Sequence, residues 1–172
     1  MLPQNQRNLV SFVSFNLGWW VCFLGPKYGY PLAGPIYAIG AVALHLRIFP
    51  NPKGEALYLL AMTVIGAGID SLLMHFGVFQ LLPVPVSIAP LWLIAMWTLF
   101  ATSMESMEPL RRNRWVFIVI SAITGPFSYF CGEALGRLQY NRPLWIFLTI
   151  HGLLWAILMP ALYVLRDKLT KR

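Results

Sequence analysis

Six apolar stretches, each close to the length a helix needs to cross a bilayer core, constrain this chain more than any other feature. They cover residues 9–25, 32–49, 56–77, 88–104, 115–136 and 144–165. Turn and charge signals separate them: Gly25-Pro26-Lys27, Pro50-Asn51-Pro52-Lys53, Pro83-Val84-Pro85, Glu108-Pro109-Leu110-Arg111 and Asn141-Arg142-Pro143. The connections are too short to fold alone. The expectation is therefore a single transmembrane helical domain over 1–172, an all-α integral membrane bundle of about six transmembrane helices. Composition points the same way, with 58% of residues hydrophobic and only 11% charged. A water-soluble domain of this size could not hide so much apolar surface, so lipid is the solvent that fits.

Charge sets the orientation. The net charge of +7 sits in short segments between apolar runs and forms no basic face along which phosphates could lie, which argues against nucleic acid. If the N-terminus is cytoplasmic, the inner segments hold Arg7, Arg47, Lys53, Arg111, Arg112, Arg114, Arg166, Lys168, Lys171 and Arg172. The outer loops then hold Lys27, Arg137 and Arg142, so the positive-inside rule predicts both termini on the cytoplasmic side of the plasma (inner) membrane. Residues 1–8 are short and polar, and the first apolar run lacks a small-residue cleavage site, so that run is expected to stay as a span. Cys22 and Cys131 are too few and too apolar in setting for a disulfide framework or a zinc site, and free thiols are expected.

Helices in lipid associate through close packing of small residues. The third stretch carries Thr63, Gly66, Asp70, Leu73 and Gly77 at helical spacing, and the fifth carries Ser121, Gly125, Ser128, Tyr129, Gly132 and Gly136. Both read as packing faces. Pro126 is expected to free the carbonyl of Ala122, and Pro160 that of Ala156. The Gly34-Pro35 and Gly125-Pro126 pairs raise the idea of an inverted repeat of three helices.

Asp70 most needs explaining. On a helix over 56–77 it lies roughly 5 Å outward of the midplane, where an ionised carboxylate costs a few kcal/mol. It must face protein, find a partner or hold a proton. Tyr37, Tyr129 and His151 fall at about the same depth on three other helices, so Asp70, Tyr37, Tyr129 and His151 form the candidate binding layer. Structural polar glue is the competing reading. His75 lies off the Asp70 face, near the outer interface. Glu133 is expected to pair with Arg137 at the surface, and Glu105 and Glu108 to form a solvated cluster with Arg111, Arg112 and Arg114. No phosphate loop, nucleophile elbow, HExxH or Cys-x-x-Cys is present, and no pair among the three histidines, Asp70 and Glu133 has same-face spacing for a metal. No cofactor is expected, and catalytic residues stay unassigned.

Several segments in order carry a resemblance: Gly18-Trp19-Trp20, then Gly66-Ala67-Gly68-Ile69-Asp70-Ser71-Leu72, then Ala89-Pro90-Leu91-Trp92-Leu93, then Gly125-Pro126-Phe127-Ser128-Tyr129 with Gly132 and Gly136. The set resembles a domain-of-unknown-function family of small bacterial inner-membrane proteins. That resemblance implies a gene encoded near those of cyclopropane-fatty-acid-synthase-like enzymes, and so a link to lipid. The leading functional expectation is a lipid-associated accessory protein that binds acyl chains or headgroups near Asp70. Its partners are membrane lipid and lipid-modifying enzymes, and a homo-oligomer is left open. The alternatives are a small proton- or cation-coupled transporter, and an intramembrane lipid-modifying enzyme with Asp70 and His151 as acid and base.

Overall fold

The computed structural model describes residues 2–170, and Met1, Lys171 and Arg172 lie outside them, the last two being among the inner charges counted above. Within it the chain forms six α-helices: α1 (Gln4–Lys27), α2 (Ala33–Ile48), α3 (Pro52–His75), α4 (Leu91–Ser103), α5 (Arg114–Ala134) and α6 (Leu144–Thr170). Four of them, α1, α3, α5 and α6, are long and apolar enough to cross a membrane. The other two are shorter, with 16 residues in α2 and 13 in α4. Two three-residue strands, β1 (Phe79–Leu81) and β2 (Leu138–Tyr140), follow α3 and α5. They are too short to show an alternating pattern, and the sequence reading has no strand there.

Helix ends differ from the apolar stretches for local reasons. Pro52 opens α3, where its missing N–H is no loss, and Asn51 Oδ1 accepts from Gly54 N at 3.1 Å. The helix thus starts ahead of the apolar run at residue 56. Asn113 caps α5, its side chain accepting from the backbone N–H groups of Trp115 and Val116. Helix α4 gives way to a 3-10 segment over Met104–Arg112. There the hydroxyls of Thr102, Ser103 and Ser106 each bond a carbonyl three residues back, and Pro109 has no N–H to give.

The chain packs as two compact units. The first holds the residues up to Ala67, Pro90–Pro109 and those from Leu165 onward; the second holds Gly68–Ala89 and Leu110–Val164. In the first, α1, α2 and α4 surround Cys22, Ala38, Ala41, Ala95 and Leu99. Small residues bring the backbones together: a Cβ on Gly34 would lie 3.1 Å from Cys22 Cα, and one on Gly18 would strike Leu99 and Tyr37. Gly66 of α3 lies under the indole of Trp97 from α4.

In the second unit α3 and α5 end alike. Gly77 (φ +64°) and Gly136 (φ +69°) take the left-handed conformation that L side chains resist, and each terminates its helix in a Schellman turn. Gly77 N bonds Met74 O and Val78 N bonds Leu73 O; Gly136 N bonds Glu133 O and Arg137 N bonds Gly132 O. The strands that follow pair antiparallel, with Gln80 opposite Gln139. The amide of Gln80 donates to that of Gln139 at 3.2 Å, across 59 residues of sequence. The same 59-residue offset relates Asp70 to Tyr129. A helix end, a left-handed glycine and a short strand thus recur at one spacing. The two Gly-Pro pairs do not share it, because Gly34 lies in the first turn of α2 and Gly125 in the middle of α5.

Candidate functional site

Asp70 and Tyr129 meet inside the second unit. The Tyr129 hydroxyl donates to Asp70 Oδ1 at 2.5 Å, within the range of a charge-assisted O–H···O bond. Asp70 is fully buried, as is His151, and Tyr129 is buried too. The helical stripe of α5 puts Tyr129 inward on the same face as Ser121, Gly125 and Gly132, all buried. Trp155 of α6 lies flat against Gly125, and Gly152 stands opposite the Ala122 carbonyl, where an added Cβ would be 3.3 Å away. Pro126 takes the N–H that would otherwise bond that carbonyl. Small residues thus bring α6, and His151 with it, close to the acid–phenol pair.

The His151 ring lies 4.5 Å from that of Tyr129, centroid to centroid, and stacks on Phe147 at 4.0 Å. Phe147 stacks in turn on Tyr140 at 4.0 Å, and Phe79 from β1 closes edge-on against Tyr129 at 5.5 Å. His151 Nδ1 lies 3.2 Å from the Phe147 carbonyl. A carbonyl can only accept, so Nδ1 carries the hydrogen in that bond. In the neutral ring Nε2 is then a bare acceptor, and it has no hydrogen-bond partner. A carboxylate, a phenol and a bare imidazole nitrogen therefore share one buried, aromatic-walled interior. Such a set can hold and pass a proton.

Of the four candidate residues the structure unites three. Tyr37 belongs to the first unit, where its hydroxyl donates to the Ser14 carbonyl at 3.0 Å. The expected surface position of Arg137 also gives way. Arg137 is buried, and Glu133 Oε1 lies 3.5 Å from the backbone N–H of Tyr140. Burial lowers the Arg137 pKa from its ordinary value, while burial and then the nearby Glu133 charge push the Tyr140 hydroxyl up. His75 is exposed at the end of α3, and both cysteines are free thiols.

The larger correction concerns Glu105, which is buried rather than solvated. It pairs with Arg7 at 3.0 Å and with Arg166 at 3.7 Å. Arg166, also buried, reaches Glu108 and Glu55 at 3.7 Å each. Glu55 completes the set by meeting His45 Nε2 at 3.0 Å. The network joins α1, α2, α3, the 3-10 segment and the last turns of α6 within the first unit. Sequence alone did not reveal it, because its members are isolated charges at stretch ends that meet only once the helices pack. The signal available was Glu55 and Glu105 beside apolar runs, where an unpaired carboxylate would be costly.

Four apolar helices long enough to cross a membrane make this a helical membrane protein. Its family can be stated as well. The chain belongs to the family described as protein of unknown function (DUF2878), whose model matches residues 8–161. No curated protein and no solved structure matches it.

Proposed function

We propose that this is a six-span protein of the inner membrane, both ends cytoplasmic, in which Asp70, Tyr129 and His151 form a proton-holding centre for coupled transport. The orientation rests on the Lys and Arg distribution. The activity rests on one observation above all: a fully buried carboxylate bonded by a phenol at 2.5 Å, beside an imidazole with an unpartnered Nε2. A carboxylate in such a setting is costly unless it faces protein partners, and it marks proton and cation pathways in membrane proteins more often than simple packing sites. Both Asp70 and His151 are enclosed by side chains, so a proton fits there more readily than a headgroup.

The test is proton flux in liposomes of reconstituted protein under an imposed pH gradient, read with an internal pH-sensitive dye. Wild-type protein should pass protons faster than empty vesicles, and Asp70→Asn should abolish the excess while leaving folding and membrane abundance intact. An amide keeps the hydrogen bond but cannot ionise. Flux in Asp70→Asn equal to wild type would reduce Asp70 to a structural residue.

A lipid-associated accessory role is the second reading. It draws on the apolar side chains left exposed along the helices, Ile36, Ile39, Leu60, Val64 and Ile157 among them, which fit acyl chains. Native mass spectrometry tests it through copurified lipid that survives delipidating washes.

A further inference from the structure

The first unit holds a second acid–base set, which the Asp70 centre does not use. Val10, Ser11 and Ser14 of α1, Ala41, Leu44, His45 and Ile48 of α2, and Thr102 of α4 line a narrow crevice with room for about one water. Four of these side chains are polar. Two are satisfied: Thr102 donates to the Leu99 carbonyl at 2.6 Å, and Ser14 Oγ lies 3.5 Å from the Tyr37 hydroxyl. The other two are not. Ser11 Oγ and His45 Nδ1 have no hydrogen-bond partner, although Ser11 is 3% and His45 4% exposed. A buried polar atom without a partner costs about 1–3 kcal/mol, and two on one crevice mark a place built for a polar guest.

His45 is held from its other side. Nε2 meets Glu55 at 3.0 Å, Arg166 stands 3.7 Å beyond that carboxylate, and the ring stacks on Phe49 at 3.8 Å. A carboxylate on one imidazole nitrogen fixes the hydrogen there and leaves the other nitrogen as an acceptor. The hydroxyl of Ser11 can donate or accept as its guest requires.

We infer that Glu55, His45 and Ser11 form a hydroxyl-binding site in the α1–α2–α4 crevice, with His45 Nδ1 as the proton-accepting atom. The guest is one hydroxyl group, and a crevice of this size takes it as water. Its hydrogen points to Nδ1 and its oxygen accepts from Ser11 Oγ. The site is independent of the Asp70 centre, and its test does not rely on proton flux.

The chain has three histidines, which makes the assay direct. Nitrogen-15 spectra of histidine-labelled protein should show His45 with its hydrogen on Nε2 and a bare Nδ1 shifted by a hydrogen bond from a hydroxyl, with exposed His75 as the reference. Ser11→Ala should move the His45 Nδ1 resonance and leave those of His151 in place. A hydrogen on His45 Nδ1, or an Nδ1 resonance that Ser11→Ala does not move, overturns the site.

Discussion

The packing of Trp155 on Gly125 offers the sharpest test of how α5 and α6 meet. A Cβ added to Gly125 would stand 2.1 Å from Trp155 Cγ, 2.3 Å from Cδ2 and 2.5 Å from Cδ1. Carbon atoms in contact settle at about 3.5–4.0 Å, so the indole must retreat by roughly 1.5 Å. Cγ is one bond from the Trp155 Cβ, so it cannot swing aside as a flexible chain end could. Either the ring leaves its rotamer or the helices part. Overpacking of this kind costs about 1–3 kcal/mol, and the depth of overlap puts Gly125→Ala at the upper end. Alanine returns up to about 1 kcal/mol of helix propensity, for a net loss of about 2 kcal/mol. In a chain of this length that lowers Tm by roughly 4–8 °C. Gly68→Ala on α3 is the control, since its Cβ meets nothing within 4 Å. It should hold or raise Tm slightly. Thermal unfolding of both variants in one detergent, followed by tryptophan fluorescence, reads the difference. Equal melting temperatures would refute the seating of the indole on Gly125.

Two further outcomes follow from the charge network and the charge distribution. Arg166→Met should destabilise the fold by about 1–3 kcal/mol, because Glu55 keeps His45 and Glu105 keeps Arg7 but both lose a buried cation, and chemical denaturation should show Arg166→Met/Glu55→Gln recovering part of the loss. Reporter fusions after Lys53 and Arg112 should read cytoplasmic, and fusions after Pro85 and Asn141 external; an inverted pattern would overturn the orientation.

The helices were legible in the sequence because a 17- to 22-residue apolar run has few other solutions. Their ends were less so, since caps such as Asn113 and Asn51 act over one turn and leave little trace in a hydropathy pattern. Asp70, Tyr129 and His151 could be grouped by depth, as buried polar groups in lipid seek one another. Tyr37 shared that depth but belongs to the other unit, and depth along a helix axis cannot show which faces turn together. The network of Arg7, His45, Glu55, Glu105 and Arg166 was missed for the opposite reason. Charges near helix ends read as solvated by default, and only packing reveals that Glu105 and Arg166 are covered. The recurring spacing was within reach, since Gly66 and Gly125, Gly77 and Gly136, and Gln80 and Gln139 share one offset.

The paired turns at Gly77 and Gly136 bear on how a centre like this one arises. If the α3 and α5 segments descend from one ancestral segment, Asp70 and Tyr129 are the same site in two copies, seven residues ahead of the same glycine. A symmetric dimer of single copies would set like against like: two carboxylates that repel when ionised, or two phenols that stay neutral near pH 7. Neither makes an acid–phenol pair. Fusing the copies into one chain lifts that restriction, because each half then mutates alone. The asymmetry at this one position is thus something a fused chain can encode and a symmetric dimer of one copy cannot.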